Sequence, residues 1–263
     1  MKTFQDLQEG VYDPNILKAF FLAGGPGSGK SYVVSRGVGG LGMKIVNSDD
    51  IFEKYIDDAG MTWKMNTKLG KEQEADRDKL RARAKEVANK QKANYVEGRL
   101  GLIIDGTGKD YDNITGKAQK LRLLGYDIHM IFVNTSLDIA LERNAARKRT
   151  LRPDIATKSW KSVQTNMGKF SQFFRQGFIL VDNNVPGEDI MAPVIKQIRN
   201  MANAKVKNTI GKQWIAHQLE LKKRWFADSH KYSFYTKILI LCNVGSATIT
   251  RRGLTNPLFS YTL

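Results

Sequence analysis

Short apolar runs alternate with longer amphipathic segments along the first 200 residues of the chain. Each apolar run has the length of a buried strand, and the segments between the runs carry apolar residues at helical spacing. Strands that alternate with helices form parallel sheets, so the pattern predicts an α/β fold with a doubly wound, mostly parallel five-stranded sheet. The predicted strands cover residues 19–23, 43–47, 100–104, 126–134 and 178–182.

The longest predicted helix covers residues 71–98 and ends at Gly98. Its remaining positions are densely charged with both signs, which is typical of a solvated helix face with ion pairs between successive turns. We therefore assign no chemistry to this helix. Its apolar stripe consists of Leu80, Ala84, Val87, Ala88 and Val96.

A glycine-rich loop follows the first predicted strand. Residues 24–31 have the spacing G-x-x-x-x-G-K-S, between a strand and a helix, which is the arrangement of a phosphate-binding loop. Its glycines allow successive backbone N–H groups to surround a phosphate, whereas the alternative is a merely flexible turn. Lys30 can reach the β- and γ-phosphates of a nucleotide, and Ser31 would ligate Mg²⁺. The predicted nucleotide-binding residues are Gly25, Pro26, Gly27, Ser28, Gly29, Lys30 and Ser31, with Arg143 from a later segment.

Acidic residues follow two further predicted strands. Asp49 comes after the second strand and Asp105 after the third, and the carboxyl ends of parallel strands form the ligand crevice of such a sheet. Asp49 is the first catalytic candidate; the alternative is that Ser48, Asp49 or Asp50 caps the next helix. Asp105 is predicted to contact Mg²⁺ or the acceptor, with Thr107 beside it, unless Asp-Gly is simply a turn.

Residues 142–153, which we call the lid segment, contain five basic side chains. Arginines at this edge of the sheet can neutralise charge on a phosphoryl group during its transfer, and this favours a lid over the phosphates. The alternative is an exposed basic helix end that is stabilised by the helix dipole.

The formal net charge of +16 implies attraction to polyanions, with nucleic acid as the predicted partner. Solvated lysine-rich helix faces are the alternative explanation. One cysteine excludes an internal disulfide, and no apolar run reaches the roughly 18 residues of a membrane span. With no secretory signal at the N-terminus, we expect a cytoplasmic protein that does not associate with membranes.

The 263 residues suffice for one α/β domain and an appendage. The sequence predicts an arm at 1–15, a nucleotide domain at 16–204, a basic helical extension at 205–231 and a tail at 232–263 without a functional interpretation. Aromatic residues lie between cations in the extension, which fits either a nucleic-acid surface or a helix that docks its aromatics on the core. These aromatic residues are Trp214, His217, Trp225 and Phe226.

Four motifs, AGGPGSGKS, VNSDD, LIIDGTG and LERNAARKR, resemble the P-loop kinases that include phage 5′-polynucleotide kinase and the zeta-toxin group. The resemblance covers residues 18–183 and implies Mg²⁺-dependent transfer of the γ-phosphoryl group of ATP to a hydroxyl. It also implies that Asp49 acts on the acceptor hydroxyl, that Arg147 is the lid arginine, and that Asp105 lies on the acceptor side. Lys30 carries over as the catalytic lysine of the loop.

Two departures concern the acceptor. Phage polynucleotide kinases carry an arginine three residues after the catalytic aspartate, where this chain has Phe52. Zeta-like enzymes place a Glu-Thr-Thr type turn after the third strand, where this chain has residues 106–108, Gly-Thr-Gly. The preferred hypothesis is a polynucleotide 5′-hydroxyl acceptor. The alternatives are a nucleotide-sugar kinase and a non-catalytic, phage head-associated protein that binds nucleotide and nucleic acid.

The first residues resemble the N-terminal head-targeting peptide of internal proteins of T-even type bacteriophages. They begin with Met-Lys-Thr, an aromatic residue and a short acidic amphipathic stretch. This resemblance implies a bacteriophage protein that is located in the host cytoplasm or packaged in the virion.

Overall fold

The computed structural model describes residues 11–61, 71–147, 150–185 and 188–242. Its centre is a five-stranded sheet with the strand order β2-β3-β1-β4-β5. All four pairs of neighbouring strands are parallel, which confirms the predicted α/β fold. The strands are β1 (Lys18–Ala23), β2 (Lys44–Val46), β3 (Leu102–Ile104), β4 (Asp127–Asn134) and β5 (Phe178–Asp182).

The helices follow the predicted alternation with strands. The helix that was predicted at residues 71–98 is observed at Lys71–Glu97. Between α6 and β5 the chain forms one 3-10 turn at Arg175–Gly177. The helices are α1 (Lys30–Gly37), α2 (Ser48–Asp58), α3 (Lys71–Glu97), α4 (Tyr111–Leu123), α5 (Leu137–Ala145), α6 (Pro153–Phe174), α7 (Glu188–Asn203) and α8 (Thr209–Cys242).

Strand β1 is buried over its whole length because helices cover both faces of the sheet. Alternate side chains of a strand point to opposite faces. Phe21 therefore packs in a cluster with residues of α4 and α6, while Phe20 packs in a second cluster with residues of α1 and α7. Burial of each such side chain contributes about 1.5–3 kcal/mol, so the central strand is a rigid support for the loop that follows it.

Helix α2 begins with a cap at Asn47. The Asn47 side chain accepts a hydrogen bond from the Asp49 N–H at 2.8 Å. The alternative that Ser48, Asp49 or Asp50 caps this helix is therefore wrong, because Asn47 has the extended backbone that a cap requires. The Asp49 carboxylate is left for other contacts.

Contacts divide the chain into two compact units, Met1–Ala216 and His217–Leu263. In the first unit, Trp214 packs against the core and stacks with Arg99, whose guanidinium carbon lies 5.9 Å from the ring centre. In the second unit, Trp225 is 66% exposed. The interpretation of a helix that docks its aromatics on the core thus holds for Trp214.

Helix α8 spans part of the predicted basic extension and continues to Cys242. Residues 1–10 of the predicted arm and residues 243–263 of the predicted tail lie outside the described residues. In the part of the chain that the structure describes, no helix has the length and apolar character of a membrane span.

Candidate nucleotide and phosphoryl-transfer site

All of the predicted site residues lie at the carboxyl edge of the sheet. The glycine-rich loop joins β1 to α1, Asp49 follows β2, Asp105 follows β3, and the lid segment follows β4 and the start of α5. Parallel strands bring their carboxyl ends to one edge, so residues far apart in sequence meet there.

The glycine-rich loop has a shape that only glycine accommodates at two positions. Gly27 and Gly29 have φ angles of 80° and 87°. A Cβ atom on Gly27 would collide with the carbonyl oxygen of Ala140, and one on Gly29 would collide with the Asn183 side chain. The Asn183 amide donates a hydrogen bond to the carbonyl oxygen of Ser28 at 2.8 Å. The loop is therefore held in shape from α5 and from the end of β5.

Lys30 lies in the first turn of α1 and folds back over the loop. Its Nζ donates hydrogen bonds to the carbonyl oxygens of Gly24 at 2.8 Å and Gly25 at 3.4 Å. Burial lowers the pKa of Lys30; Asp105 opposes this shift, Arg147 adds to it, and Asp49 opposes it. Asp105, Arg147 and Asp49, all predicted from the sequence, therefore lie within electrostatic reach of Lys30.

The Asp105 carboxylate has an oxygen that can still accept a ligand. Its Oδ1 atom is buried and has no hydrogen-bond partner. Burial raises the pKa of Asp105, and Lys30 opposes the shift. The pKa of neighbouring Asp50 is also raised, first by burial and then by Asp105. Carboxylates that hinder one another's ionisation attract a cation or a proton.

These residues fit a magnesium ion. A buried carboxylate oxygen without a donor suits a hard cation, and Ser31, which is exposed in the first turn of α1, directly follows Lys30. No group of three or more His, Cys, Asp or Glu side chains among the described residues could hold a metal by itself. Magnesium at phosphate sites normally takes one or two protein ligands together with phosphate oxygens, so Ser31 and Asp105 would suffice.

The loop after β3 is tied to the glycine-rich loop. The Gly24 N–H donates to the carbonyl oxygen of Thr107 at 3.0 Å, and the Thr107 residue is exposed. From α6, the buried side chain of Asn166 donates to the carbonyl oxygens of Gly108 and Lys109 at 3.1 and 3.0 Å. Asp105 thereby keeps a fixed position relative to the predicted phosphate site.

The two predicted arginines of the lid segment have different surroundings. Arg143, at the end of α5, donates from Nη1 to the carbonyl oxygen of Asn183 at 2.9 Å. Arg147 follows α5, is exposed, and acts electrostatically on Lys30 and Asp105. Arg143 thus lies against the end of β5, beside the glycine-rich loop, and Arg147 faces the charged cluster.

Asp49 is more exposed than the other acidic residues of the site. Its side chain is 53% exposed, and its Oδ1 lies 3.6 Å from Nη2 of Arg81 on α3. This arginine was missed, because no chemistry was predicted for α3. Nothing in the charge pattern of α3 distinguishes Arg81 from its many charged neighbours.

Other supporting residues were also missed. Asn183 directly follows β5, and its place at a strand end could have indicated a role. Trp160 of α6 lies against Gly25 and donates from Nε1 to the carbonyl oxygen of Thr135 at 2.8 Å. The sequence around Trp160 and Asn166 does not indicate a role for either residue, because both lie in the middle of a long helix.

Comparison with protein families agrees with this geometry. The family model described as the AAA domain matches residues 20–169 of the chain. The chain belongs to this AAA domain family. The matched stretch of the AAA domain begins in β1 and contains the glycine-rich loop, Asp49, Asp105 and the lid segment. A comparison with the curated proteins gives no match.

The AAA domain is similar to several solved structures. The ATP-bound AvrRxo1-ORF1:ORF2 complex matches with a TM-score of 0.50 and 12% identity, over 63% of this chain and 54% of that chain. This chain thus spans about half the length of that relative. A gluconokinase from Sinorhizobium meliloti 1021 matches with a TM-score of 0.44 and 13% identity, over 72% and 95% of the two chains. A chain of the Pnkp1/Rnl/Hen1 RNA repair complex matches with a TM-score of 0.46 and 15% identity, over 64% and 49%.

The family and the fold together support a P-loop phosphotransferase that binds a nucleotide. The five-stranded parallel sheet, with its phosphate-binding loop after the central strand, is the fold of the P-loop kinases.

Proposed function

We propose that the protein is an ATP- and Mg²⁺-dependent kinase that transfers the γ-phosphoryl group to a hydroxyl of its acceptor. The observation that carries the proposal is the charged cluster of Lys30, Asp49, Asp105 and Arg147 beside the glycine-rich loop. Phosphoryl transfer needs positioning and neutralisation of charge more than covalent chemistry, and this cluster supplies both.

Each residue has a role in the proposed transfer. The glycine-rich loop and Lys30 bind the phosphates of ATP. The acceptor oxygen attacks the γ-phosphorus, the bond to the β-phosphate oxygen breaks, and ADP leaves. Asp49 accepts the proton of the hydroxyl, and Arg147 neutralises charge on the transferring group. Magnesium, held by Ser31 and Asp105, would neutralise the β- and γ-phosphate oxygens when bound.

The preferred acceptor is a polynucleotide with a free 5′-hydroxyl. The net charge of +16 favours a polyanionic substrate. Charge attraction to phosphates is independent of base sequence, so we expect tolerance of different sequences at the 5′-end. The N-terminal resemblance to head-targeting peptides supports the proposal that the enzyme is phage-encoded and acts in the host cell.

Transfer of labelled phosphate tests the proposal. The protein is incubated with γ-labelled ATP and Mg²⁺ together with 5′-hydroxyl DNA and RNA oligonucleotides, nucleosides or nucleotide sugars. We expect labelled oligonucleotides. Label in the nucleotide sugars alone would replace the proposed acceptor. ATP binding without transfer to any acceptor would instead indicate a nucleotide-binding protein without kinase activity.

The variant Asp49→Asn tests the proposed base. It keeps the size of the side chain but removes the proton acceptor, so we expect transfer to fall about 10²- to 10⁴-fold while ATP affinity changes little. Single-turnover transfer and calorimetric titration with ATP measure the two quantities separately. An Asp49→Asn enzyme with normal transfer would refute the role of Asp49 as base.

A further inference from the structure

A large cavity, which we call the amino-edge cavity, lies at the opposite end of β1 from the glycine-rich loop. Its volume is about 1040 Å³, which is at the upper end of the range for sites that bind small organic molecules. Its walls come from the end of α4, the start of β4, helix α7 and the first residues of α8, all within the compact unit Met1–Ala216. The proposed phosphoryl transfer does not use this cavity.

Most of the charged groups that line the amino-edge cavity are cations. Arg122 of α4, Lys196 of α7 and Lys207 before α8 belong to its wall. Asp127 is the one carboxylate among the lining residues in the described part of the chain, and it accepts hydrogen bonds from the Lys18 ammonium and the Lys207 N–H. Asp127 therefore balances the charge of Lys18. The three remaining cations leave the wall positively charged, and such a wall attracts an anion.

The wall also contains exposed aliphatic side chains. Leu123 at the end of α4 is 66% exposed, and Ile210 in the first turn of α8 is 46% exposed. Pro193 and Met201 of α7 line the same cavity. Apolar side chains that together stay exposed to water mark a place where an apolar group of a ligand binds. The amino-edge cavity therefore suits a molecule with an anionic part and an apolar part.

The aromatic residues of the wall favour an alkyl chain over a nucleobase as the apolar part. A nucleobase binds by stacking on an exposed aromatic face. Tyr126 is completely buried, and the His129 ring already stacks on Phe20 with 4.8 Å between the ring centres. The lining residues that the structure describes include no phenylalanine or tryptophan. An alkyl chain needs only the aliphatic surface that the wall does provide.

The histidine of the wall lacks hydrogen-bond partners. Both ring nitrogens of His129 are buried, and neither has a partner. Burial lowers the pKa of His129 to about 4, Lys18 and Lys207 add to the shift, and Asp127 opposes it, so the ring is neutral at pH 7. Buried polar atoms without a partner are rare in folded proteins, and they are expected where a bound molecule completes a site.

We propose that the amino-edge cavity binds an amphiphilic organic anion, namely an alkyl chain that ends in a carboxylate or a phosphate. Charged hydrogen bonds from the lysines and the arginine of the wall hold the head group. The chain covers Leu123 and Ile210 and removes their apolar surface from water. The inference goes beyond the proposed function, because it assigns a second site at the other edge of the sheet and involves no transfer of phosphate.

Four ligands with the same decyl chain length test the proposal on the full chain. Decanoate and decyl phosphate carry the two head groups, decanol is neutral, and decyltrimethylammonium is a cation. Each is titrated below its micelle concentration, by calorimetry and by displacement of the fluorescent anion anilinonaphthalene sulfonate. We expect a single anion to bind per chain, at least about tenfold more tightly than decanol or the cation, because a charged hydrogen bond contributes that much. The ratio between the two anions identifies the head group.

A double variant tests the cations of the wall. Lys196→Gln with Lys207→Gln removes two exposed positive charges. It is expected to weaken binding of the anions about 10- to 100-fold and to leave binding of decanol unchanged. Lys79→Gln with Lys90→Gln is the matched control, because it removes the same charge from two exposed lysines of α3. This control is expected to bind all four ligands like wild type.

A second variant tests the cavity itself. Ala204→Trp is expected to fill the space and to abolish binding of the anions and of decanol. Ala192→Trp is its control, because Ala192 is an exposed residue of α7 that does not line the amino-edge cavity. Thermal unfolding without ligand shows whether each variant is folded. The double lysine variant decides the question if Ala204→Trp is unstable.

Three results would overturn the proposal. Decanol binds as tightly as the anions, the two double lysine variants lose the same affinity, or a folded Ala204→Trp protein binds decanoate like wild type. Binding of many molecules per chain, unchanged in the lysine variant, would also refute it, because it would show adsorption to apolar surface in general. Every measurement is of binding without ATP, so these results do not depend on whether the protein is a kinase.

Discussion

A lysine and an aspartate lie at each of the two edges of the sheet, but their hydrogen-bond partners differ. At the amino edge, Lys18 Nζ lies 2.7 Å from Asp127 Oδ2, and the N–H groups of Lys207 and Asn208 also donate to Asp127 at 2.8 Å each. At the carboxyl edge, within the described part of the chain, Lys30 bonds only to neutral carbonyl oxygens of its own loop, and Asp105 Oδ1 has no hydrogen-bond partner.

The difference shows in the direction in which the pKa of each aspartate is shifted. Burial opposes ionisation of Asp127, but the hydrogen bonds from Lys18 and from the backbone outweigh it and lower its pKa. At Asp105, burial prevails over the attraction of Lys30 and raises the pKa. A charged group whose hydrogen bonds are all made within the protein stabilises the fold. A charged group that lacks such partners can bind a ligand, and this arrangement is expected of a functional site.

The largest expected effect is at the amino edge. Lys18→Met leaves Asp127 buried without its cation, and we expect the free energy of unfolding to fall by roughly 3–5 kcal/mol. Urea denaturation at neutral pH measures the loss. Lys79→Met is the control, since Lys79 pairs with Asp76 at 3.0 Å with side chains 77% and 56% exposed. Its expected cost is below about 1 kcal/mol. Equal losses in the two variants would contradict a structural role for the Lys18–Asp127 pair.

A smaller and different effect is expected for the lysine at the carboxyl edge. Lys30→Ala should reduce ATP affinity about 10- to 100-fold, because it removes a charged donor to the phosphates. The thermal midpoint in the absence of ATP should change little, since the hydrogen bonds that are lost go to two neutral carbonyl oxygens, and that of Gly25 also accepts from the Ser28 N–H. Calorimetric titration and thermal unfolding of the same sample measure both. A large drop in the thermal midpoint would mean that Lys30, like Lys18, is structural.

The smallest effect is a difference in pH dependence between the aspartates. The raised pKa of Asp105 means that its contribution to stability is fully present below its unfolded pKa and is lost as the pH rises through its folded pKa. Asp105→Asn should therefore raise the stability at neutral pH by about 1 kcal/mol. The lowered pKa of Asp127 has the opposite sign: its contribution is present above the unfolded pKa and is lost as the pH falls through the folded pKa.

Unfolding curves between about pH 3 and pH 7 test these signs for Asp105→Asn and Asp127→Asn. Asp127→Asn should remove stability at neutral pH and cost progressively less as the pH falls. A destabilised Asp105→Asn protein at neutral pH would show that the Asp105 carboxylate has a structural partner.

Elements that are defined by a few consecutive residues could be predicted from the sequence. The phosphate-binding loop lies within eight residues, and strand β5 was predicted at its observed limits, Phe178–Asp182. Strand β2 was predicted too long, because it is a three-residue edge strand in which Ile45 is exposed and its two neighbours are only partly buried, so its apolar pattern is weak.

Long-range contacts could not be predicted in the same way. Lys18 was left outside the first predicted strand, because a lysine does not indicate burial unless its partner is known, and Asp127 is 109 residues away. Asn183 holds the carbonyl of Ser28 across 155 residues. Arg81 meets Asp49 only because α2 and α3 pack through Phe52, Ile56 and Ala84. Such contacts depend on strand order and helix packing, neither of which the spacing of residues encodes.

One side chain has a consequence for how the lid segment can vary. Asn144 donates from Nδ2 to the carbonyl oxygen of Leu151 at 2.9 Å and accepts from the Leu151 N–H at 3.2 Å, so it closes the chain around Arg147 into a ring. Both ends of that ring are anchored to one buried amide. Under the proposed function, substitutions or insertions inside this ring would change the side chains offered to the acceptor without moving the anchor. The substrate range of the proposed kinase would then diverge while its nucleotide site stays the same.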